Sequence, residues 1–361
     1  MPELDDAEIA GRLLHHLARA FDCPGAAYLA GPARIQGGFD TTIFGFALDR
    51  VPPPLQGPLI LRLSRANANP ARVKLETIVQ NALAEMDYPA PRVTVTESDP
   101  DILGGPFMVM QRVPGKTLGH AIERFGAGSS FSGRVRLLLS LPAVLDGIID
   151  QWVGMQIRLH QLPAATLLRA VTAAGIEAGV VTFEGQLARL RTIVERHGLA
   201  GLEPGLAWLD QHRPVPVQAA ICHGDFHPLN ILAENGKPTG VIDWPNVVIA
   251  EPAMDVGSAI ANISTVPINL PWALRAAARA AIGAALRRYQ RAYHARRPLD
   301  DQAVRYYQAF RAVAQLVPVG VARAAGRTGG GAFHSEAGAG NLIARIKRLS
   351  GVSVWLDDRA H

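Results

Sequence analysis

The segment Ile221–Trp244 constrains the fold of this chain more than any other part of its sequence. Its pattern predicts a strand, a polar loop that contains Asp225 and ends at Asn230, a second strand, a tight turn at Asn235–Gly236 and a third strand. The third strand delivers Asp243 to the same end of the hairpin as Asn230. We therefore expect three oxygen-bearing side chains around one small volume, an arrangement that suits hard cations and phosphates.

The spacing within the polar loop matches a known catalytic pattern. His223 precedes Asp225 by two positions and Asn230 follows it by five, as in the H-x-D-x-x-x-x-N loop of kinases. In that chemistry the Asp accepts the proton of the attacking hydroxyl, while the Asn and a later Asp hold Mg²⁺ against the nucleotide phosphates. The pattern predicts Asp225 as the catalytic residue, Asn230 and Asp243 as Mg²⁺ ligands, and His223 as a residue that orients the loop.

The loop HGDFHPLN, followed by VIDW and then EPAMDVG, resembles the aminoglycoside phosphotransferase and choline kinase-like family. The resemblance extends more weakly across most of the chain. It implies an α+β, protein-kinase-like bilobal fold. The small antiparallel-sheet N-lobe, residues 1–112, would bind the nucleotide, and the larger, mainly helical C-lobe, residues 113–361, would hold the catalytic loop and the acceptor. The resemblance also implies that Asp255 supports the catalytic loop from below.

A predicted hairpin at residues 33–48 is a candidate phosphate-binding element. Two alternating strands flank a Gly-Gly turn there. Glycine allows backbone N–H groups to approach a phosphate, and threonine hydroxyls can donate to it. Its position one strand before LILRLS adds weight to this interpretation. The residues that we predict to contact the phosphates of the nucleotide are Gly37, Gly38, Thr41 and Thr42.

The next strand and its neighbours complete the predicted nucleotide site. Arg62, on the strand Pro58–Ser64, stands where protein kinases carry a phosphate-contacting Lys, and Glu76 on the following helix is its expected partner. The run GGPFMVMQRVPGKTL resembles the last N-lobe strand and the hinge of the family. That resemblance implies that backbone groups near Gln111 and Val113 hydrogen-bond the adenine.

Helical periodicity surrounds these motifs. Asp5 or Asp6 is the expected cap of a first helix that runs to about Phe21. Beyond it, the pattern predicts helices over residues 71–86, 131–160, 184–197, 271–294 and 300–316, and a mobile Gly-rich loop over residues 326–340.

Composition is typical of a globular protein that acts on small molecules. The chain has 361 residues, 48% hydrophobic and 19% charged, which is enough for two lobes. Its net charge of +5 comes mostly from arginines scattered along amphipathic helices, so we expect no nucleic-acid partner. The most apolar stretch, residues 137–157, is interrupted by Pro142, Asp146 and Asp150, so we expect no membrane partner. With two cysteines and no visible signal peptide, we expect a cytoplasmic protein, while the oligomeric state stays open.

These features predict Mg²⁺-dependent transfer of the γ-phosphate of ATP or GTP to a hydroxyl of a small molecule. Two alternatives stay open. A metal-dependent hydrolase would use His223, Asp225 and His227, because residues i, i+2 and i+4 share one face of an extended segment. A catalytically inactive nucleotide-binding module is the other, since Arg62 replaces the usual Lys.

The acceptor is predicted to be neutral or moderately apolar and not a polycationic aminoglycoside, while a choline-like cation stays open because aromatic faces can hold a single quaternary ammonium. In the family that the chain resembles, helices after the catalytic loop supply much of the acceptor pocket. Acidic residues are few from Val256 onwards and arginines are many, whereas a polycation needs several carboxylates. One hypothesis is that the aromatic residues of this region line a pocket for an organic alcohol, namely Trp272, Tyr289, Tyr293, Tyr306, Tyr307 and Phe310.

Overall fold

The computed structural model describes residues 4–35, 41–120, 131–215, 217–327 and 331–356, without the side chains of residues 131–143 and of Ala273. Gly37 and Gly38 lie outside the described residues. The chain separates into two compact units. The first unit comprises Met1–Lys116, Arg169–Ile176 and Leu232–Pro245, and the second comprises Thr117–Leu168, Glu177–Ile231 and Asn246–His361. Asp243 therefore belongs to the first unit, whereas Asp225 and Asn230 belong to the second.

The first unit is built on an antiparallel sheet with strand order β1-β2-β3-β5-β4. Its elements are α1 (Asp6–Ala20), β1 (Ala27–Ile35), β2 (Thr41–Asp49), β3 (Pro58–Ser64), α2 (Pro70–Glu85), β4 (Val93–Glu97), α3 (Pro100–Leu103) and β5 (Phe107–Gln111). Asp5 caps α1, because its side chain accepts a hydrogen bond from the Glu8 backbone N–H at 2.8 Å and Glu8 returns one to Asp5. The face of α1 that carries Leu13 and Leu17 is buried in the core of this unit.

The predicted hairpin of the central segment is present. The remaining strands are β6 (Lys116–Thr117), β7 (Ala220–Cys222), β8 (Ile231–Glu234), β9 (Lys237–Val241) and β10 (Val248–Ala250). Strands β8 and β9 are neighbours in one sheet, and Asn235 and Gly236 between them have φ of 50° and 75°. Two consecutive positive φ angles are the geometry that favours Asn-Gly in a two-residue hairpin. The turn prediction is confirmed.

The second unit is mainly helical. The helices that follow β6 are α4 (Phe131–His160), α5 (Ala164–Ala173), α6 (Phe183–Arg196), α7 (Glu203–Gln211), α8 (Ala253–Thr265), α9 (Trp272–Arg296), α10 (Asp301–Ala324) and α11 (Glu336–Ser350). An aromatic cluster forms part of its core, in which the Phe183 ring lies 4.8 Å from the Phe310 ring and 5.1 Å from the Tyr307 ring. A small antiparallel sheet in one unit and helices in the other confirm the predicted α+β class.

Two predicted boundaries near the C-terminus are wrong. Helix α10 continues to Ala324 and passes through Pro318, although the sequence pattern ends at residue 316. Packing explains the extension, since Val317 and Val319 are buried and gain more from burial than the helix loses at one proline. Helix α11 begins at Glu336, capped by Ser335, inside the stretch predicted to be a loop. Within the described residues, no helix is both long enough and apolar enough to cross a membrane.

Candidate active site

The polar loop leaves strand β7 through a position that requires glycine. Strand β7 pairs with β10, with Cys222 opposite Val248. The next turn gives Gly224 a φ of 78°, and a Cβ atom there would lie 2.1 Å from the backbone oxygen of Asn246. Both the positive φ and the close backbone exclude a side chain. The glycine between His223 and Asp225 is thus set by the path of the loop.

Asp255 on α8 fixes the start of the loop from beneath. Its carboxylate accepts hydrogen bonds from the backbone N–H groups of His223, at 2.9 Å, and Gly224, at 2.7 Å. It also contacts Nε2 of His160 at 3.0 Å, and Nδ1 of His160 lies 2.6 Å from the Tyr293 hydroxyl. Asp255 and His160 are fully buried. A buried carboxylate with three donors is a rigid support for these backbone groups. That the supported loop is catalytic stays a prediction.

Asp225 projects from this support with a half-buried carboxylate, 20% exposed. Its backbone N–H lies 3.3 Å from Nδ1 of His223, so His223 turns one ring nitrogen back onto its own loop. Burial acts to raise the pKa of the Asp225 carboxyl, but the hydrogen bond from His227 and the charge of Arg311 outweigh it and hold the pKa well below its usual range. Asp225 is ionised at neutral pH.

Two residues that the sequence did not indicate, Asn262 and Arg311, contact the Asp225 carboxylate, and a third, Gln315, contacts Asn262. Nδ2 of Asn262 donates to Oδ1 of Asp225 at 2.5 Å, and a guanidinium nitrogen of Arg311 lies 3.7 Å from the same oxygen. Oδ1 of Asn262 in turn accepts from Arg311 Nε at 3.0 Å and from Gln315 Nε2 at 2.8 Å. These three residues form no recognisable sequence motif, because Asn262 lies on α8 and the two others lie on α10.

Asn230 closes the loop. Its side-chain N–H₂ donates to the backbone oxygen of Asp225 at 2.9 Å, and its own backbone N–H donates to His227 at 2.9 Å. With the amide nitrogen used in this way, the amide oxygen is left without a hydrogen-bond partner among the described residues. Asn230 is thus locked into the loop, with one oxygen available to a ligand.

The hydrolase alternative finds little support in this geometry. His223 is fully buried and directs Nδ1 to the Asp225 backbone, and His227 contacts Asp225 at 3.5 Å through Nε2. Among the described residues, the group of His, Cys and carboxylate side chains close enough to share a metal is His160, Cys222 and Asp255 instead. Two of these three are already hydrogen-bonded to each other, which favours a structural role.

The first unit contains an ion-pair cluster around Arg62. One guanidinium nitrogen hydrogen-bonds Glu76 on α2, and the other lies 3.3 Å from Oδ1 of Asp243. Glu76 is buried, and burial raises the pKa of its carboxyl while Arg62 opposes that rise. The structure therefore contains the expected Arg62–Glu76 contact and adds Asp243 to it. Their role in binding phosphates stays a prediction.

Asp243 adopts a backbone conformation that is uncommon for a residue with a side chain. Its φ is 71°, and its side chain is 41% exposed. Outliers of this kind cluster at functional sites, where the surrounding structure holds them. Asp243 Oδ1 faces Arg62, and Oδ2 has no hydrogen-bond partner among the described residues. The expectation that Asp243 shares one volume with Asp225 and Asn230 stays a prediction.

The other predicted nucleotide contacts lie in the same unit. Thr41 and Thr42 stand at the start of β2, opposite Ser64 and Leu63 of β3. Gln111 ends β5, and its backbone N–H already donates to the Arg92 oxygen at 2.9 Å. A contact of the Gln111 N–H with adenine is therefore disfavoured. Val113 follows the strand and packs against Gly240, where a Cβ atom would lie 2.6 Å from the Val113 side chain.

The hypothesis of an aromatic acceptor pocket is wrong for five of its six residues. Five of the six aromatic residues are at most 4% exposed and belong to the core. Tyr289 stacks on Trp152 with a centroid distance of 3.7 Å, and Tyr293 hydrogen-bonds His160. Trp272 alone is exposed, at 81%. Aromatic residues at helical spacing face inward here because their burial supplies much of the core energy.

A family model and two curated proteins match parts of this chain. The model of the phosphotransferase enzyme family matches residues 34–307, which is more than half of the chain. An aminoglycoside 3'-phosphotransferase of Streptomyces fradiae is 32% identical over 116 residues, which cover 31% of this chain and 43% of that protein. The uncharacterised protein YcbJ of Bacillus subtilis strain 168 is 41% identical over 49 residues, 13% of this chain and 16% of that protein. The matched region spans less than half of either curated relative.

Solved structures share the fold at low sequence identity. A protein of Ralstonia eutropha JMP134, described as an inferred aminoglycoside phosphotransferase, has a TM-score of 0.56 at 18% identity, over 94% of this chain and 95% of that one. A thermostable mutant of the aminoglycoside phosphotransferase APH(4)-Ia, solved with AMP-PNP and hygromycin B, has a TM-score of 0.54 at 15% identity, over 94% and 99%. These likenesses confirm the predicted fold. The family-model match over residues 34–307 shows that this chain belongs to the phosphotransferase enzyme family.

Proposed function

We propose that this protein transfers the γ-phosphate of ATP or GTP to a hydroxyl group of a small molecule, with Asp225 as its catalytic residue. The observation that carries this proposal is the partly exposed Asp225 carboxylate, which directly follows the two loop residues whose backbone N–H groups donate to Asp255. Family membership supports phosphoryl transfer as the class of reaction. The nucleotide complex of APH(4)-Ia supports a nucleoside triphosphate as donor.

Asp225 acts mainly by orientation in this mechanism. The carboxylate accepts a hydrogen bond from the acceptor hydroxyl and directs its oxygen at the γ-phosphorus atom. A lowered pKa makes Asp225 a weak base. That weakness is compatible with phosphoryl transfer, whose loose transition state requires little proton removal before the new bond forms. The bond from the γ-phosphorus to the bridging oxygen breaks and the nucleoside diphosphate leaves, while the proton moves to the carboxylate late in the reaction, as the hydroxyl oxygen gains its bond to phosphorus.

Asn230 and Asp243 are the proposed Mg²⁺ ligands. Each presents one oxygen without a hydrogen-bond partner among the described residues, and amide and carboxylate oxygens are the donors that Mg²⁺ accepts. The residues therefore fit the ion. When bound, Mg²⁺ neutralises negative charge on the nucleotide phosphates. Within the first unit, Arg62 holds Asp243 in place at 3.3 Å and is anchored by Glu76.

The acceptor that fits these residues is neutral. Arg311 places a permanent positive charge 3.7 Å from the Asp225 carboxylate. An ammonium group beside the reacting hydroxyl would be repelled by this charge, and its own desolvation would need a carboxylate partner. Hygromycin B bound to APH(4)-Ia and the aminoglycoside name of the Streptomyces fradiae relative describe those proteins. Because of these two proteins, a test panel should include antibiotics that carry hydroxyl groups.

The test is a coupled nucleotide-turnover screen against hydroxylated metabolites and antibiotics with Mg²⁺, run on the full chain and on Asp225→Ala. We expect turnover with at least one hydroxyl compound and a drop in kcat of about 10²-fold or more in the variant, with nucleotide binding nearly intact. Equal turnover in both proteins would remove Asp225 from the mechanism. Hydrolysis that needs Zn²⁺ but no nucleotide would favour a metal hydrolase, and binding without turnover would favour an inactive module.

A further inference from the structure

The contacts of the Asp225 carboxylate are strongly one-sided. Asn262 at 2.5 Å, His227 at 3.5 Å and Arg311 at 3.7 Å all meet the same oxygen, Oδ1. Oδ2 accepts no hydrogen bond among the described residues. A free carboxylate rotates about its terminal bond with a broad, twofold preference. Here three neighbours on one oxygen fix the plane of the group and leave the other oxygen available.

The orientation of Asn262 follows from its partners. Its Oδ1 accepts from Arg311 Nε at 3.0 Å and from Gln315 Nε2 at 2.8 Å, and both partners can only donate through these nitrogens. The opposite end of the amide must therefore be the N–H₂ group, and that group faces the Asp225 carboxylate. Asn262 is 6% exposed, so water cannot easily replace it.

The helix packing explains how these residues meet. Helix α8 approaches α10 closely at Gly257, where a Cβ atom would lie 2.8 Å from Tyr307 Cβ. Asn262 lies five positions after that glycine, and Arg311 lies four positions after Tyr307. About one turn beyond the closest approach, side chains from both helices can therefore bond to each other while Asn262 still reaches the loop.

We propose that Asn262 is a positioning residue for Asp225: held by Arg311 and Gln315, it occupies Oδ1 and leaves Oδ2 as the oxygen that receives the acceptor hydroxyl. This inference rests on the proposed function. Positioning matters in such a reaction, because a displacement of about 1 Å at a reacting group can cost about 10²-fold in rate. Arg311 then acts through Asn262 as well as through its charge.

The experiment measures kcat, the KM for nucleotide and the melting temperature for variants of the full chain. The probes are Mg-ATP with the best acceptor from the screen and Mg-ATP with water alone. The most informative variant is Gln315→Met, because Gln315 contacts Asp225 only through Asn262 and Met has a similar length. We expect a kcat about 3-fold lower for Gln315→Met and about 30-fold lower for Asn262→Leu, each with nucleotide KM changed less than about 2-fold.

Variants of Arg311 distinguish the effect of its hydrogen bond to Asn262 from the effect of its charge. Arg311→Met removes both the hydrogen bond to Asn262 and the charge, whereas Arg311→Lys keeps a charge but cannot reproduce the planar guanidinium contacts. We expect Arg311→Lys to recover only part of the kcat that Arg311→Met loses. Arg305→Met, at an exposed arginine on the same helix, is the matched control and should keep full kcat.

Each outcome is decisive. Full kcat in Gln315→Met and Asn262→Leu, with Asp225→Ala inactive, would overturn the positioning role and leave the proposed function intact. Full activity in Asp225→Ala would overturn both. A complete recovery by Arg311→Lys would show that charge alone matters and would also overturn the inference. If Asn262→Leu fails to fold, Gln315→Met and the Arg311 pair still give the answer.

Discussion

Arg62 is the residue at which the chain departs from the lysine of the kinase pattern. An ion pair on an open surface contributes only about 0–1 kcal/mol. Glu76, however, is 5% exposed, so its carboxylate depends on Arg62. We predict that Arg62→Ala destabilises the fold by about 3 kcal/mol, because it leaves a buried carboxylate without its partner. Chemical denaturation of the two proteins measures this difference.

A double variant provides the control for Arg62. Arg62→Met combined with Glu76→Gln removes both charges together, and we expect it to recover most of the stability lost in Arg62→Ala. Nucleotide affinity should stay low in the double variant, since the proposed phosphate contact is absent. If the double variant were as unstable as Arg62→Ala, the cost would lie in packing around the arginine and not in the buried charge.

At Asp243, a substitution can remove the charge of the side chain and keep the backbone conformation. Asn tolerates a left-handed backbone about as well as Asp, whereas Ala does not. We predict that Asp243→Asn keeps the melting temperature and lowers the affinity for Mg-AMP-PNP by about tenfold or more, as expected for a lost metal ligand. Calorimetry with and without Mg²⁺ measures this affinity. Unchanged Mg²⁺-dependent affinity would remove Asp243 from the metal site.

Glu251 should make stability depend on pH. It is buried, Oε1 has no partner among the described residues, and burial raises the pKa of its carboxyl above the ordinary value of 4.5. A raised pKa in the folded state means that ionisation opposes folding. The loss of stability caused by ionisation of Glu251 is absent below pH 4.5, grows as the pH rises through the folded-state pKa, and is constant above it.

We therefore predict that Glu251→Gln raises the melting temperature at pH 8 relative to the parent and has little effect near pH 4. The amide keeps a polar group beside Tyr307 and removes the charge. Melting curves across this pH range measure the difference. A variant that is less stable at pH 8 would show that the ionised carboxylate is needed in place.

Among the helices, the contact between α8 and α10 brings Asn262 and Arg311 together beside the Asp225 carboxylate. Both Tyr307 Cβ and the Val304 backbone oxygen would lie 2.8 Å from a Cβ atom at Gly257. We predict that Gly257→Ala costs about 1–3 kcal/mol of stability and also lowers kcat, because it separates the helices that hold Asn262 and Arg311. Gly147→Ala on α4 is the matched control. Nothing lies within 4 Å there, so this variant should not be destabilised.

The elements that the sequence predicted well are those whose signals are local. The capping box at Asp5 and the turn at Asn235–Gly236 act within a few residues, and both are present. The predicted helix over residues 300–316 is shorter than α10, and it ends just before Pro318, a residue that locally disfavours a helix. The burial of Val317 and Val319, which extends the helix, depends on contacts that the local pattern does not encode.

Across the fold, the difference between local signals and long-range contacts also explains which candidate site residues the sequence predicts and which it does not. Asp225 and Asn230 were recognisable because a single loop sets their spacing. Asn262 and Arg311 were missed because their relation to Asp225 exists only after distant helices pack together. An asparagine in an apolar helix was the one available signal, since a buried amide needs partners.

The charges downstream of the catalytic loop are the basis for the last prediction. Residues 246–356 contain thirteen arginines and Lys347 but only five acidic residues. Glu251 and Asp255 are buried, Asp300 caps α10, and Asp301 accepts from Gln290 at 2.9 Å. The fifth, Glu336, lies in the first turn of α11, where a carboxylate stabilises the helix.

This distribution offers a polycation almost no unpaired carboxylate, so we predict poor turnover of aminoglycosides and better turnover of neutral hydroxyl compounds. Each ammonium group taken from water needs a partner, and Arg311 adds repulsion beside Asp225. The measurement is kcat/KM for a kanamycin-type aminoglycoside, a macrolide and a neutral sugar at two salt concentrations. A macrolide without its amine is the matched control for charge. Turnover of the aminoglycoside at about 10⁴ M⁻¹s⁻¹ or above would contradict the prediction. Arg311→Met should narrow the difference between cationic and neutral acceptors, because it removes the nearest repelling charge.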